Sequence, residues 1–269
     1  MTSAEAILGR YPPIKAALYD DSASDEVSYY GEVAVHFMGG GEPLLLSISE
    51  SAFGRLHRDL QGDNAFLTVE SLANQTVIFR AKAIADVYFS SEAYDDYGPE
   101  HGTYANHLDL LLPDARDWEI IECIADDHGL EDFDPADVER VRNTIMITDE
   151  QYARLVADGL IKTEDLDGER SKNQAETERI ISAAQTATYQ LSTGQRRSVF
   201  IYASEDLYEA FYDLIDFGGD MASDDMILLK AEGRHRVIFV NRNALDYVSI
   251  PTHQYKKGSV EAETRELDA

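Results

Sequence analysis

At 269 residues the chain suffices for one large domain or two ordinary ones, and burying roughly 70–75% of its unfolded surface means it needs no covalent or metal staples. A hydrophobic fraction of 44% beside 28% charged residues predicts a packed core, and with Cys123 as its one cysteine the sequence excludes an intrachain disulfide and points to a cytoplasmic location. Fifty-one acidic against 23 basic residues give a net charge of −28, a field that repels nucleic-acid backbones and anionic lipids, so neither is expected as a direct partner.

The N-terminal segment, 1–26, lacks the basic start and apolar stretch of a secretory signal, and no run of eighteen apolar residues predicts a membrane span. A first β-rich unit is predicted over 27–98. It opens with a strand at Gly31–Met38, closed by Gly39-Gly40-Gly41, and continues with Leu44-Leu45-Leu46. Ser49 is placed to cap a helix whose Phe53, Leu56 and Leu60 share one face. Strands Phe66–Val69 and Val77–Phe79 flank the turn Ala73-Asn74-Gln75, and a bend near Ala83 leads to a last strand, Asp86–Ser90.

Residues 99–185 change to a helical period. Asp114 is placed to cap a helix stopped by Gly129, and Asp134-Pro135 starts a second with proline where its missing amide costs nothing. Thr148-Asp149-Glu150-Gln151 is a capping box for a third, ended by Gly159. Thr163–Gln174 is expected to be mobile, and a last helix is predicted over Glu169–Ala184.

A second β-rich unit is predicted over 186–257, with strands at Thr186–Leu191, Val199–Ile201, Met226–Leu229, Val237–Phe239 and Asp246–Ile250 and a helix capped by Ser204. Val77-Ile78-Phe79, Asp86 and Gly98 recur 160 residues on as Val237-Ile238-Phe239, Asp246 and Gly258; farther upstream the spacing is 155, the difference being an insertion near Gly218-Gly219-Asp220. The expected fold is α+β: two copies of a small, strongly bent β-sheet or barrel-like unit, each with one helix, separated by an α-helical insert. The charged tail, 258–269, is expected to be disordered.

Chemical motifs are sparse. The loop from Tyr94 to Tyr104 carries Tyr94, Tyr97, His101 and Tyr104, but His101 and His107 do not have zinc spacing; the tyrosines fit a contact surface better. Asp132, Asp134 and Asp137 lack the glycine and distant glutamate of a calcium loop and read as helix capping. The glycine runs match no phosphate-binding pattern, Cys123 lies in an apolar helical face beside Ile120, Ile121 and Ile124, and no nucleophile, histidine and acid set emerges. The acidic middle helices lack the basic residues of a DNA reader. Arg234, Arg236 and Arg242 form a basic group suited to meeting an acidic patch, including one on another copy.

These features predict no catalytic residues, cofactor or metal. The expectation is a non-enzymatic binding, scaffold or assembly protein that contacts a protein partner or itself through Tyr94, Tyr97, His101, Tyr104, Arg234, Arg236 and Arg242. One alternative is an acidic DNA mimic that sequesters a basic protein. Others are a metal-dependent enzyme with its site between the repeats, or a small-ligand pocket there. Acids scattered through every region, with seven lysines to sixteen arginines, also fit a surface kept soluble in high salt.

Overall fold

The computed structural model describes residues 29–90, 115–219, 225–230 and 236–268. They form a mixed α+β protein with small antiparallel sheets, divided into two compact units: one holds 115–184, the other 29–90 and 185–268.

The first unit is built of helices, two of which start at a capping side chain. Their ranges are α2 Ala115–Asp126, α3 Pro135–Ile145, α4 Asp149–Ala157 and α5 Leu166–Gln185, the last ending at the unit boundary. Asp134 accepts from the Ala136 amide at 2.8 Å with Pro135 in the first turn, and Thr148 and Gln151 complete the capping box. Trp118, Ile120, Ile121, Val141 and Ile145 are buried, and Arg140 grips the buried Asp117 with two hydrogen bonds, 2.8 and 2.6 Å.

The segment Thr163–Gln174, expected to be mobile, instead folds as a 3-10 turn, Thr163–Asp165, running into α5. Its polar side chains are anchors. Asn173 accepts from the Ile147 amide at 3.0 Å, and just beyond the segment Thr177 donates to the Ile145 carbonyl at 2.6 Å. Such contacts leave no apolar rhythm in sequence.

In the second unit the chain runs β1 Tyr29–Phe37, β2 Leu44–Ser49, α1 Glu50–Asp59, β3 Phe66–Glu70, β4 Gln75–Arg80 and, after a 3-10 turn at Ala81–Ala83, β5 Ile84–Ser90. It resumes with β6 Thr186–Leu191, β7 Arg196–Phe200, α6 Ser204–Asp216, β8 Met226–Lys230, β9 Val237–Asn241, a 3-10 turn at Arg242–Ala244, β10 Leu245–Pro251 and α7 Thr252–Asp268. Among the described residues these strands make three antiparallel sheets, in the orders β2-β1-β5, β3-β4-β10-β6-β7 and β8-β9.

The β4–β10 pair ties the two stretches into one unit, with Phe79 opposite Tyr247, Ile78 opposite Val248 and Val77 opposite Ser249. Alternation along a strand sends successive side chains to opposite faces. Val77 and Phe79 therefore enter one core, with Val33, Val35, Leu56 and Tyr247, while Ile78 enters the other, with Tyr189, Phe211, Leu245, Val248 and Ile250.

A polar clamp closes this junction. Thr76 and Thr252 hydroxyls lie 2.8 Å apart, Ser249 donates to the Gln75 side-chain oxygen at 2.8 Å, Asn74 accepts from the His253 amide at 3.0 Å, and Arg80 donates to the Leu245 carbonyl at 2.5 Å.

Ser49 caps α1 as expected, accepting from the Ala52 amide at 3.2 Å. Ser204 does not cap α6: Ala203 holds that position, and the Ser204 hydroxyl donates to Gln254 of α7 at 2.5 Å. The charged tail is likewise helical rather than disordered. Residues 258–268 belong to α7, which packs on α6 through the buried Tyr255, Gly258 and Ala262, while Arg265 pairs with Glu205 and Glu209.

A glycine allows that helix contact, since a Cβ at Gly258 would overlap the Ser204 carbonyl. Gly258→Ala should force α7 away from α6 at a cost of about 1–3 kcal/mol, the usual range for overpacking. Hydrogen exchange should show α7 amides losing protection while those of α3 keep theirs.

Candidate functional site

β8 and β9 form a hairpin with apolar residues on both faces. Ile227, Leu229 and Val240 are buried against α6 and the core around Phe211. On the opposite face Met226 is 50% exposed, Leu228 40%, Val237 50% and Phe239 64%. Leu228 and Phe239 sit directly opposite in the antiparallel register, so they make one contiguous outer ridge.

A sheet with one solvated face normally alternates apolar with polar residues; apolar residues on both faces are the pattern of a sheet covered on both sides. Exposed apolar clusters of this kind mark contact surfaces. Along the β9 edge, Val237-Ile238-Phe239-Val240 carries no charge or proline, the devices that usually protect a free strand from pairing.

The residues nominated from sequence lie elsewhere. Tyr94, Tyr97, His101, Tyr104 and Arg234 fall outside the described residues. Arg236 is exposed just before β9. Arg242, expected in an exposed basic group, is buried: its guanidinium meets Asp213 at 2.6 Å and lies over the Phe66 ring at 5.4 Å. The long stem and planar head of arginine make such inward packing possible, and the positively charged triplet disguised it.

The sequence predicts strands at Met226–Leu229 and Val237–Phe239 but does not nominate their outer face, because strand propensity alone does not say which side each residue occupies. The signal in the sequence is two continuous apolar runs, Met226–Leu229 and Val237–Val240, where alternation would mark a half-exposed strand.

Chemistry elsewhere is muted. Burial, reinforced by Glu122 and Asp126, pushes the Cys123 thiol above its usual range, opposite to what a nucleophile requires. Burial likewise raises the Tyr255 phenol, aided by Asp216, keeping it neutral within the helix contact. Among the described residues no group of three or more His, Cys, Asp or Glu side chains is arranged to hold a metal ion, and no helix is long and apolar enough to cross a membrane. Asp134 and Asp137 serve a helix cap and an ion pair with Arg140. Comparison with known family models, curated proteins and solved structures finds no match for this chain.

Proposed function

We propose that the protein is an assembly module in which a small β unit occurs twice, joined edge to edge, and that it associates with protein through the outer face of β8–β9. The observation that carries this reading is the exposed ridge of Met226, Leu228, Val237 and Phe239.

Four features support the duplication. Both stretches run strand, strand, helix, strand, strand, 3-10 turn, strand. Both order three strands as second, first, fifth: β2-β1-β5 and, within the five-stranded sheet, β7-β6-β10. Both break register with a bulge at the start of the last strand, opposite His36/Phe37 in one and between Leu245 and Tyr247 in the other. Residues entering each unit's own core also correspond, Leu67 and Val69 with Ile227 and Leu229, and Val77 and Phe79 with Ile238 and Val240.

That last correspondence revises the alignment by identity. In the fourth and fifth strands the matching inward residues are 161 apart, as in Val77 and Ile238, one more than the 160 that aligned the two Val-Ile-Phe triplets. Val77 and Phe79 point into a core, whereas Val237 and Phe239 point away from theirs. The counterpart of exposed Phe239 is thus Ile78, and that of exposed Met226 is Phe66; both counterparts are buried against the other half. The second repeat leaves open the surface that the first repeat uses for docking.

Light scattering after size exclusion tests the reading. Copies carrying −28 each repel, and the screening length falls from about 10 Å at 0.1 M salt to about 3 Å at 1 M, so a defined oligomer is expected to strengthen as salt rises. Leu228→Ser with Phe239→Ser should return the mass to that of one chain. A single-chain mass at both salt concentrations for the unaltered protein would overturn the proposal.

A further inference from the structure

We propose that copies of this chain join head to tail, the β9 edge of one pairing antiparallel with the β5 edge of the next in the register that β4 and β10 use within the chain. This rests on reading the two halves as copies and the β8–β9 face as an assembly surface.

The internal junction joins the fourth strand of the first repeat to the fifth strand of the second. A tandem built this way has two unused ends, the fifth strand of the first repeat and the fourth of the second. Among the described residues β5 pairs with β1 alone, and β9 with β8 alone. These ends are the two halves of the junction already made once inside the chain.

Burial on both sides supports the match. On the donor side, Ile78 and Phe66 are buried in the internal junction, while their counterparts Phe239 and Met226 are at least half exposed. On the receiving side, Leu245, Val248 and Ile250 lie fully buried in the core that Ile78 and Phe66 complete. Their counterparts on β5, Ile84, Val87 and Phe89, are only partly buried. Each side lacks the cover that the internal junction provides, and a second copy supplies both covers with one contact.

Transferring the internal register places Phe239 opposite Val87 of the next chain, Val237 opposite Phe89 and Arg236 opposite Ser90. The two surfaces differ, so the contact is heterologous, and its repetition gives a ring if the rotation closes and a filament if it does not. It is also weaker than its internal template. Exposed Asp86, 2.8 Å from His36, occupies the position of buried Tyr247, and Tyr88 replaces the Ser249 of the polar clamp. A charge on one edge limits indiscriminate pairing.

Thiol cross-linking in a Cys123→Ser background tests the register at its rim, away from the apolar anchors. Arg236→Cys and Ser90→Cys chains are purified separately, mixed in high salt and treated with a short bifunctional thiol reagent; facing residues in paired strands lie about 4.5–5.5 Å apart. A cross-linked dimer is expected in the mixture, at least five-fold above either variant alone. If Arg236→Cys cross-links to itself as well as in the mixture, the contact is two-fold and the head-to-tail proposal fails while the assembly reading stands. No cross-link from chains that scatter as single copies would overturn both.

Discussion

Ile78→Asp should abolish the cooperative fold of the β-containing unit, whereas Phe239→Asp should leave its melting temperature within about 2 °C of the unaltered protein, as surface changes generally do. The two positions are counterparts in the proposed duplication. Ile78 is fully buried, opposite Val248, in the apolar core that also holds Tyr189 and Phe211. An unpaired buried charge, together with the lost apolar contact, costs more than about 4 kcal/mol, a large share of the stability of an ordinary domain. Phe239 instead faces outward, 64% exposed, so a charge there stays hydrated and removes only the proposed surface for association. Far-UV circular dichroism gives the melting curve and light scattering the mass. Trp118, the only tryptophan, lies in the helical unit, so its fluorescence reports that unit separately. Equal destabilisation by the two substitutions would mean that the β8–β9 ridge is covered within the chain.

The contrast also explains how much could be read from sequence. Local rules located most elements: Asp134-Pro135 and the Thr148 box start helices where expected, and both β-rich stretches have their strands near the expected places. These features depend on neighbouring residues. Long-range pairing was hidden, because β4 and β10 are each bounded by ordinary turns and nothing local says that they meet. The face of each strand residue was also hidden: Val77-Ile78-Phe79 and Val237-Ile238-Phe239 are identical, yet one residue of register decides whether valine and phenylalanine point inward or outward. For α7 the apolar signal was weak because the contact is built on Gly258, Ala262 and the aromatic body of Tyr255, with ion pairs around the rim. The site eluded reading for the same reason: its residues are ordinary, and only their lack of cover distinguishes them.

Arg242→Ala is expected to destabilise the same unit by about 3–5 kcal/mol, the range for removing one partner of a buried ion pair. The substitution strands the Asp213 carboxylate, which meets the guanidinium at 2.6 Å, with both side chains roughly nine-tenths buried. It also uncovers one side of the Phe66 ring, over which the guanidinium lies at 5.4 Å. Arg242→Lys should recover little, because an ammonium reproduces neither the flat stacking on Phe66 nor the fork of donors. Replacing both partners, Arg242→Met with Asp213→Leu, should recover most of the loss, since most of the cost comes from leaving one charge alone and little from the pair itself. A urea denaturation cycle over the two single variants and the double measures this coupling, and a loss below about 1 kcal/mol for Arg242→Ala would show a pair that water already screens. The place of the damage is informative as well. Phe66 begins β3 and donates a backbone bond from its amide to the Gly218 carbonyl at 3.1 Å, so Arg242 holds the β3–β4 pair against the second half of the unit. Hydrogen exchange in Arg242→Ala should therefore rise first in β3 and β4, before α1 opens, because the internal junction loosens while the helix keeps its own core.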